Sequence, residues 1–201
     1  MNIITHTPNI WFTADLHFGH ESIIRHCNRP FKTIEEHDTA LITNWNSCIH
    51  KKDTTYVLGD FAMPKKNPNV PSIKTYRRYF HALNGKKILI KGNHDKMSQD
   101  FYDLFTAVYD IREIKMKHKK VVLMHFPLQS WNGMCHGWWH LFGHTHGRLP
   151  VHDWELKMDI GVDTNNYFPY LENDIFNKLL AKEKIWEQKW NVSINSTARK
   201  E

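Results

Sequence analysis

Lys86-Lys87-Ile88-Leu89-Ile90-Lys91-Gly92-Asn93-His94-Asp95 is the stretch on which the fold turns. Residues 86–90 have the length and apolar character of a strand, which gives way to a glycine and then to three side chains able to bind a ligand or move a proton. The pattern recurs upstream. Residues 9–14 are a short apolar run rich in β-formers that ends at Asp15-Leu16-His17, and residues 54–58 are a second buried strand closed by Gly59-Asp60. Between these strands the periodicity becomes helical. Thr33 and Glu36 form a capping box ahead of Ile34, Leu41, Ile42, Trp45 and Ile49, and Ser72 opens a helix whose Ile73, Tyr76, Phe80 and Leu83 share one face. Gly85 sits where that helix needs a C-terminal cap. Alternating strands and helices with polar groups at the strand ends predict an α/β fold with an open sheet, whose ligands gather at its carboxyl edge.

Downstream of Asp95 the pattern shifts toward strands. Residues 107–111, 113–117 and 120–124 read as strands, the last two joined by a tight polar turn, and Met124-His125 closes the third. Leu141-Phe142 enters Gly143-His144-Thr145-His146, and residues 156–162 alternate like another strand, so a second sheet is expected. Residues 172–190 place Ile175, Leu179, Trp186 and Trp190 on one side, predicting a helix laid on the sheet. Three prolines between positions 64 and 71 mark a surface loop.

The polar motifs span residues 15 to 146, so the expectation is a single domain over 1–201, with 172–201 a C-terminal helix and tail. A net charge of +6 favours an anionic partner, although the excess is diffuse. Cys27, Cys48 and Cys135 are odd in number and irregularly spaced, which suits free thiols in a reducing compartment. Residues 1–13 lack a secretory pattern, and no run approaches the roughly 18 apolar residues that span a bilayer. A cytoplasmic protein with no membrane partner is expected, and the acceptor-like Asn191-Val192-Ser193 and Asn195-Ser196-Thr197 are read as accidental.

The motif side chains are oxygen or imidazole ligands with no cysteine among them. Such a set suits two divalent ions, Mn²⁺ favoured, with Fe, Zn, Ni or Co also compatible. Residues two apart in an extended segment point the same way, so Asp15 with His17, and His144 with His146, are expected to present ligand pairs. Asp60 stands alone at a strand end as the natural bridge, while Asn93 and His125 complete a second site. Two metals about 4 Å apart can hold a hydroxide between them and clamp a phosphoryl group for in-line attack. His94, beside Asn93, is then free to protonate the leaving oxygen, with Asp95 orienting it or capping the next turn.

Taken together, the five motifs resemble those of the calcineurin-like metallophosphoesterase superfamily, in its small cap-free bacterial and phage branch, over about residues 9–170. The resemblance implies a four-layer α/β/β/α sandwich with two mixed β-sheets. It also implies that Asp15, His17, Asp60 and His146 hold one metal, that Asp60, Asn93, His125 and His144 hold the other, and that His94 is the general acid. Likeness extends to Phe18-Gly19-His20, Asn28-Arg29-Pro30-Phe31, residues 131–140 and Gly161-Val162-Asp163; members of the branch often carry Asn where this chain has Ser22. His20, Arg29, His136 and Arg148 are the candidate substrate contacts, and Trp131, Trp138 and Trp139 frame a loop that can pack or stack a base. The expected activity is hydrolysis of a phosphodiester rather than a monoester, because no inserted cap encloses a small phosphate, with a nucleotide-like substrate favoured. Phosphomonoesterase, single-strand nuclease and non-catalytic scaffold are the alternatives.

Overall fold

The apolar runs build two sheets. The computed structural model describes residues 7–63, 72–95 and 97–190. In chain order the first half comprises β1 (Ile10–Thr13), α1 (Glu21–His26), α2 (Ile34–Cys48), β2 (Thr54–Leu58), α3 (Ser72–Ala82), β3 (Lys86–Ile90), α4 (Gln99–Tyr102) and β4 (Ala107–Tyr109). The second half comprises β5 (Ile111–Met116), β6 (Lys119–Met124), β7 (Trp139–Phe142), β8 (Lys157–Asp159), β9 (Tyr170–Leu171) and α5 (Glu172–Trp190). The first sheet has the order β4-β3-β2-β1-β9, parallel except for β9, and the second has the order β5-β6-β7-β8, parallel except for β5. Both sheets are therefore mixed. Flanking helices complete the four-layer sandwich typical of the calcineurin-like fold.

Two cores follow from strand alternation. Val57 and Leu89 face α2 and α3, burying Leu41, Trp45, Tyr79 and Leu83, while Phe12, Leu58 and Ile90 belong to the core shared with Val121, Leu123, Leu141 and α5 residues Ile175 and Leu179. Each fully buried aliphatic or aromatic side chain contributes on the order of 2 kcal/mol. Trp45 also satisfies its one polar atom, donating its indole N–H to the Asn84 carbonyl at 3.0 Å.

Strand register sets the site. Thr13 lies opposite Val57 and Leu58 opposite Ile90, so the loops carrying Asp15, Asp60 and Asn93 leave the first sheet at one rim. In the second sheet Leu123 lies opposite Leu141 and Phe142 opposite Asp159, which aligns the loops after β6, β7 and β8. A bridge between Ala14 and Gly161 joins the two rims.

Several local expectations change. The run 107–111 splits, because Asp110 carries the chain from β4 in the first sheet to β5 in the second. Thr33 caps α2 through the Glu36 amide at 3.2 Å, but the Glu36 carboxylate reaches back to the Lys32 amide at 2.7 Å, one residue beyond a capping box. The proline-rich stretch 64–71 and the tail 191–201, with its two acceptor-like sites, lie outside the described residues. No helix among the described residues is long and apolar enough to cross a membrane.

Candidate metal centre

Asp15, His17, Asp60, His144 and His146 all have left-handed backbones, with φ of 58°, 51°, 53°, 69° and 50°. This corrects the extended geometry expected for the two pairs of ligands spaced two apart. A non-glycine residue there costs on the order of 1 kcal/mol, so five in one site require surroundings that over-determine the loops. The ties are visible. The Asp15 amide donates to the Gly59 carbonyl at 3.1 Å, the His17 amide to the Asp60 carbonyl at 2.9 Å, and the Gly143 amide to the His125 carbonyl at 2.9 Å.

Glycine makes the close approach possible. A Cβ on Gly92 would stand 2.3 Å from Asp60 Oδ1, and one on Gly143 would stand 2.7 Å from Asp15 Oδ2. The carboxylates can therefore reach the centre of the rim.

Ligand atoms gather there in three overlapping groups: Asp15, His17 and His146; His17, Asp60 and His94; and Asp60, His125 and His144. Within each group the atoms lie within 4.8 Å of one another. Asp60 is shared, its Oδ2 standing 3.4 Å from His17 Nε2 and 3.6 Å from His125 Nε2. Asn93 adds its amide oxygen, 3.0 Å from His125 Nε2. Two potential metal-binding sites sharing one aspartate point to a dinuclear centre and suit a metal-dependent hydrolase.

The charge state supports a cation. Asp15, Asp60 and His17 are all buried, and the His17 Nε2 atom has no hydrogen-bond partner. An orphaned imidazole nitrogen beside a carboxylate is what a ligand set looks like before its ion is counted. Burial pushes the Asp15 carboxyl well above its ordinary value and the His17 imidazole well below its own, with Arg29 adding to the latter. Burial alone would also lower His146, but hydrogen bonding to Asp163 and Cys27 together with the charge of Asp15 holds it up at about 10.

The remaining sequence candidates are dispersed. His20 lines the cleft, its Nδ1 3.0 Å from His17 Nδ1 and its Nε2 2.9 Å from Ser22 Oγ, so Ser22 braces an imidazole that braces the candidate ligand His17. His94 lies on the same cleft, its Nε2 3.9 Å from Asp60 Oδ2. Asp95 does not orient His94. Its buried carboxylate accepts the amides of Asp60, Phe61 and Gly92 at 2.7, 3.0 and 2.9 Å, which makes it a clamp between two ligand loops. Arg29 is likewise withdrawn from any substrate, since its guanidinium is buried on Asp163, His37 and the carbonyls of Asp15 and Leu16. His136 is exposed on a short turn and is not among the residues lining the cleft, and Arg148 is exposed and donates to the His26 carbonyl.

Sequence reasoning missed Asp159 and Asp163 as organisers. Asp159 Oδ2 accepts Thr145 Oγ1 at 2.7 Å and the Gly147 amide at 2.9 Å, holding the His144–His146 loop from β8. Asp163 Oδ2 meets His146 Nδ1 at 2.7 Å. The available signal was Gly161-Val162-Asp163, noted as a likeness without a role.

Comparison with known proteins places this architecture. No protein-family model matches the chain. The chain is 33% identical over 181 residues to the uncharacterized protein MJ1445 of Methanocaldococcus jannaschii, covering 88% of this chain and 93% of that one. It is also 28% identical over 208 residues to the gene 66 protein of Mycobacterium phage L5, covering 89% and 93% of the two chains. Among solved structures it is similar to the protein of unknown function AQ665 from Aquifex aeolicus, with a TM-score of 0.66 and 26% identity over 85% of this chain and 99% of that chain. The chain therefore belongs to the family of the Methanocaldococcus jannaschii protein.

Proposed function

We propose that this protein is a dinuclear metal-dependent phosphoesterase that hydrolyses a phosphodiester, with a nucleotide-like substrate favoured. The observation that carries the reading is the buried, unpartnered Nε2 of His17, 3.4 Å from the shared Asp60 carboxylate. Asp15, His17, Asp60 and His146 would hold one ion and Asp60, Asn93, His125 and His144 the other, with Mn²⁺ favoured. When bound, such ions polarise phosphoryl oxygens and make a water acidic enough to attack near neutral pH.

The chain's own groups select and orient the substrate. The cleft over the ligands has a volume of about 340 Å³, and Ile23 is the one apolar side chain among those that line it. Such a lining receives a phosphoryl group rather than a base, so the arms of a diester lie outside. His26 on the wall donates to phosphoryl oxygens, and His94, half-buried on the rim, hands a proton to the departing oxygen.

The test is turnover of bis(p-nitrophenyl) phosphate against p-nitrophenyl phosphate with Mn²⁺ supplied. The diester should be preferred, and Asp60→Asn should abolish both activities. Preference for the monoester would replace the diesterase reading. Failure to turn over either substrate, with less than one ion bound per chain, would defeat the hydrolase reading altogether.

One observation favours a nuclease within this class. Phe126 is 37% exposed with its ring 4.7 Å from that of His144, so an apolar face stands beside a ligand where a base can stack. Cleavage of single-stranded oligonucleotides, lost in Asn93→Ala, would establish it.

A further inference from the structure

We propose that Asp163 and Arg29 are positioning residues that lock His146 and the loop bearing Asp15 and His17, so that the metal site on this side can be lost while its neighbour survives. This rests on the dinuclear reading above.

Asp163 Oδ2 accepts from His146 Nδ1 at 2.7 Å, because a carboxylate oxygen cannot donate. Nδ1–H is thereby committed to Asp163, and only the other ring nitrogen is left for an ion. Carboxylates placed behind metal-ligating imidazoles act in this way. Asp163 is in turn held by a fork: Arg29 Nε donates to its Oδ1 at 2.8 Å and Nη2 to its Oδ2 at 2.7 Å. The guanidinium offsets the charge of the Asp163 carboxylate and fixes its plane.

The same guanidinium reaches the other two ligands through their backbone. Nη2 donates to the Asp15 carbonyl at 2.7 Å and Nη1 to the Leu16 carbonyl at 3.3 Å, gripping the left-handed turn that carries Asp15 and His17. Nη1 also donates to His37 Nε2 at 2.7 Å. His37 must therefore carry its proton on Nδ1, from which it donates to Asp38 Oδ1 at 2.8 Å. Asp38 closes the path by accepting the Gly19 amide at 3.1 Å. One chain of bonds thus begins at His146 and returns to the far end of the 15–19 loop, and none of the bonds in it is made to Asp60, His125 or His144.

The test is titration of metal-free protein with Co²⁺, followed by calorimetry and visible absorption. Wild type should take up two equivalents. Asp163→Asn should weaken one equivalent by about 10- to 100-fold and leave the other within about twofold of wild type. Arg29→Lys, which keeps the charge and loses the fork, should weaken the same equivalent in the same direction. Two undisturbed equivalents in both variants, or equal loss of both, would overturn the proposal. Uptake of fewer than two equivalents by wild type would instead overturn the dinuclear reading on which it rests. Should the variants fail to fold, ring ¹⁵N shifts of Zn²⁺-loaded wild type decide the matter: Nδ1 of His146 must be protonated, and a metal-ligated Nδ1 would refute the lock.

Discussion

His125 donates its Nδ1 proton to the Leu58 carbonyl at 2.8 Å, although Leu58 ends a strand of one sheet and His125 follows a strand of the other. The bond fixes the tautomer and leaves Nε2 facing Asn93 Oδ1 and the Asp60 carboxylate. Half of the centre therefore exists only when the sheets are docked. The unfolded chain cannot offer the same arrangement, so an ion held here would add directly to stability.

Metal addition should raise the melting temperature. An ion at 100 times its Kd adds about 2.7 kcal/mol per site, or roughly 5 to 10 °C for a domain of this size. Thermal unfolding with excess Mn²⁺ and with chelator measures the difference. Coincident melting curves would contradict the presence of a folded-state ion site.

His94→Ala should retain both ions and lose turnover by about 10²- to 10⁴-fold for substrates with poor leaving groups. The loss should be much smaller for p-nitrophenolate esters, which need little proton donation. Because His94 Nε2 stands 3.9 Å from Asp60 Oδ2, within the same group as His17, metal analysis is the deciding control. Loss of one equivalent would make His94 a ligand and remove it from proton transfer.

Asp95→Asn should destabilise the metal-free protein by about 3 kcal/mol, because three buried amides lose a charged acceptor. Those amides belong to Asp60, Phe61 and Gly92. Urea unfolding of chelator-treated protein reads the effect without any contribution from catalysis. An unchanged midpoint would remove Asp95 from its clamping role.

How far the site could be read in advance depended on distance along the chain. Strand–loop units such as 86–95 declare themselves locally, because an apolar run and the glycine ending it are neighbours. β9, two residues long, and α1, six residues long with only Ile23 buried, have too little periodicity to register. Arg29 resembled a phosphate ligand because its partner Asp163 lies 134 residues away, and nothing local reveals a guanidinium already fully engaged. The left-handed turns at Asp15 and His144 were hidden for a related reason. Their conformations are imposed by bonds from other loops, among them the two from the His144 amide to the Asp15 carboxylate at 3.0 and 2.8 Å.

Acid sensitivity should come in part from His140, which lies outside the ligand set. Its Nε2 accepts the Leu128 amide at 3.1 Å and its Nδ1 donates to the Val122 carbonyl at 3.0 Å, so both ring nitrogens are committed in the neutral form. Burial lowers its pKa from 6.5 to about 4. Between these values the unfolded chain binds a proton that the folded chain refuses, so stability is intact above pH 6.5 and falls as pH drops toward 4. The loss approaches about 3 kcal/mol at the lower limit. His140→Asn keeps a donor toward Val122 but removes the titration. The difference in unfolding free energy between wild type and this variant should therefore shift steadily across that window and be flat at neutral pH, whereas a pH-independent difference would show that His140 contributes packing alone.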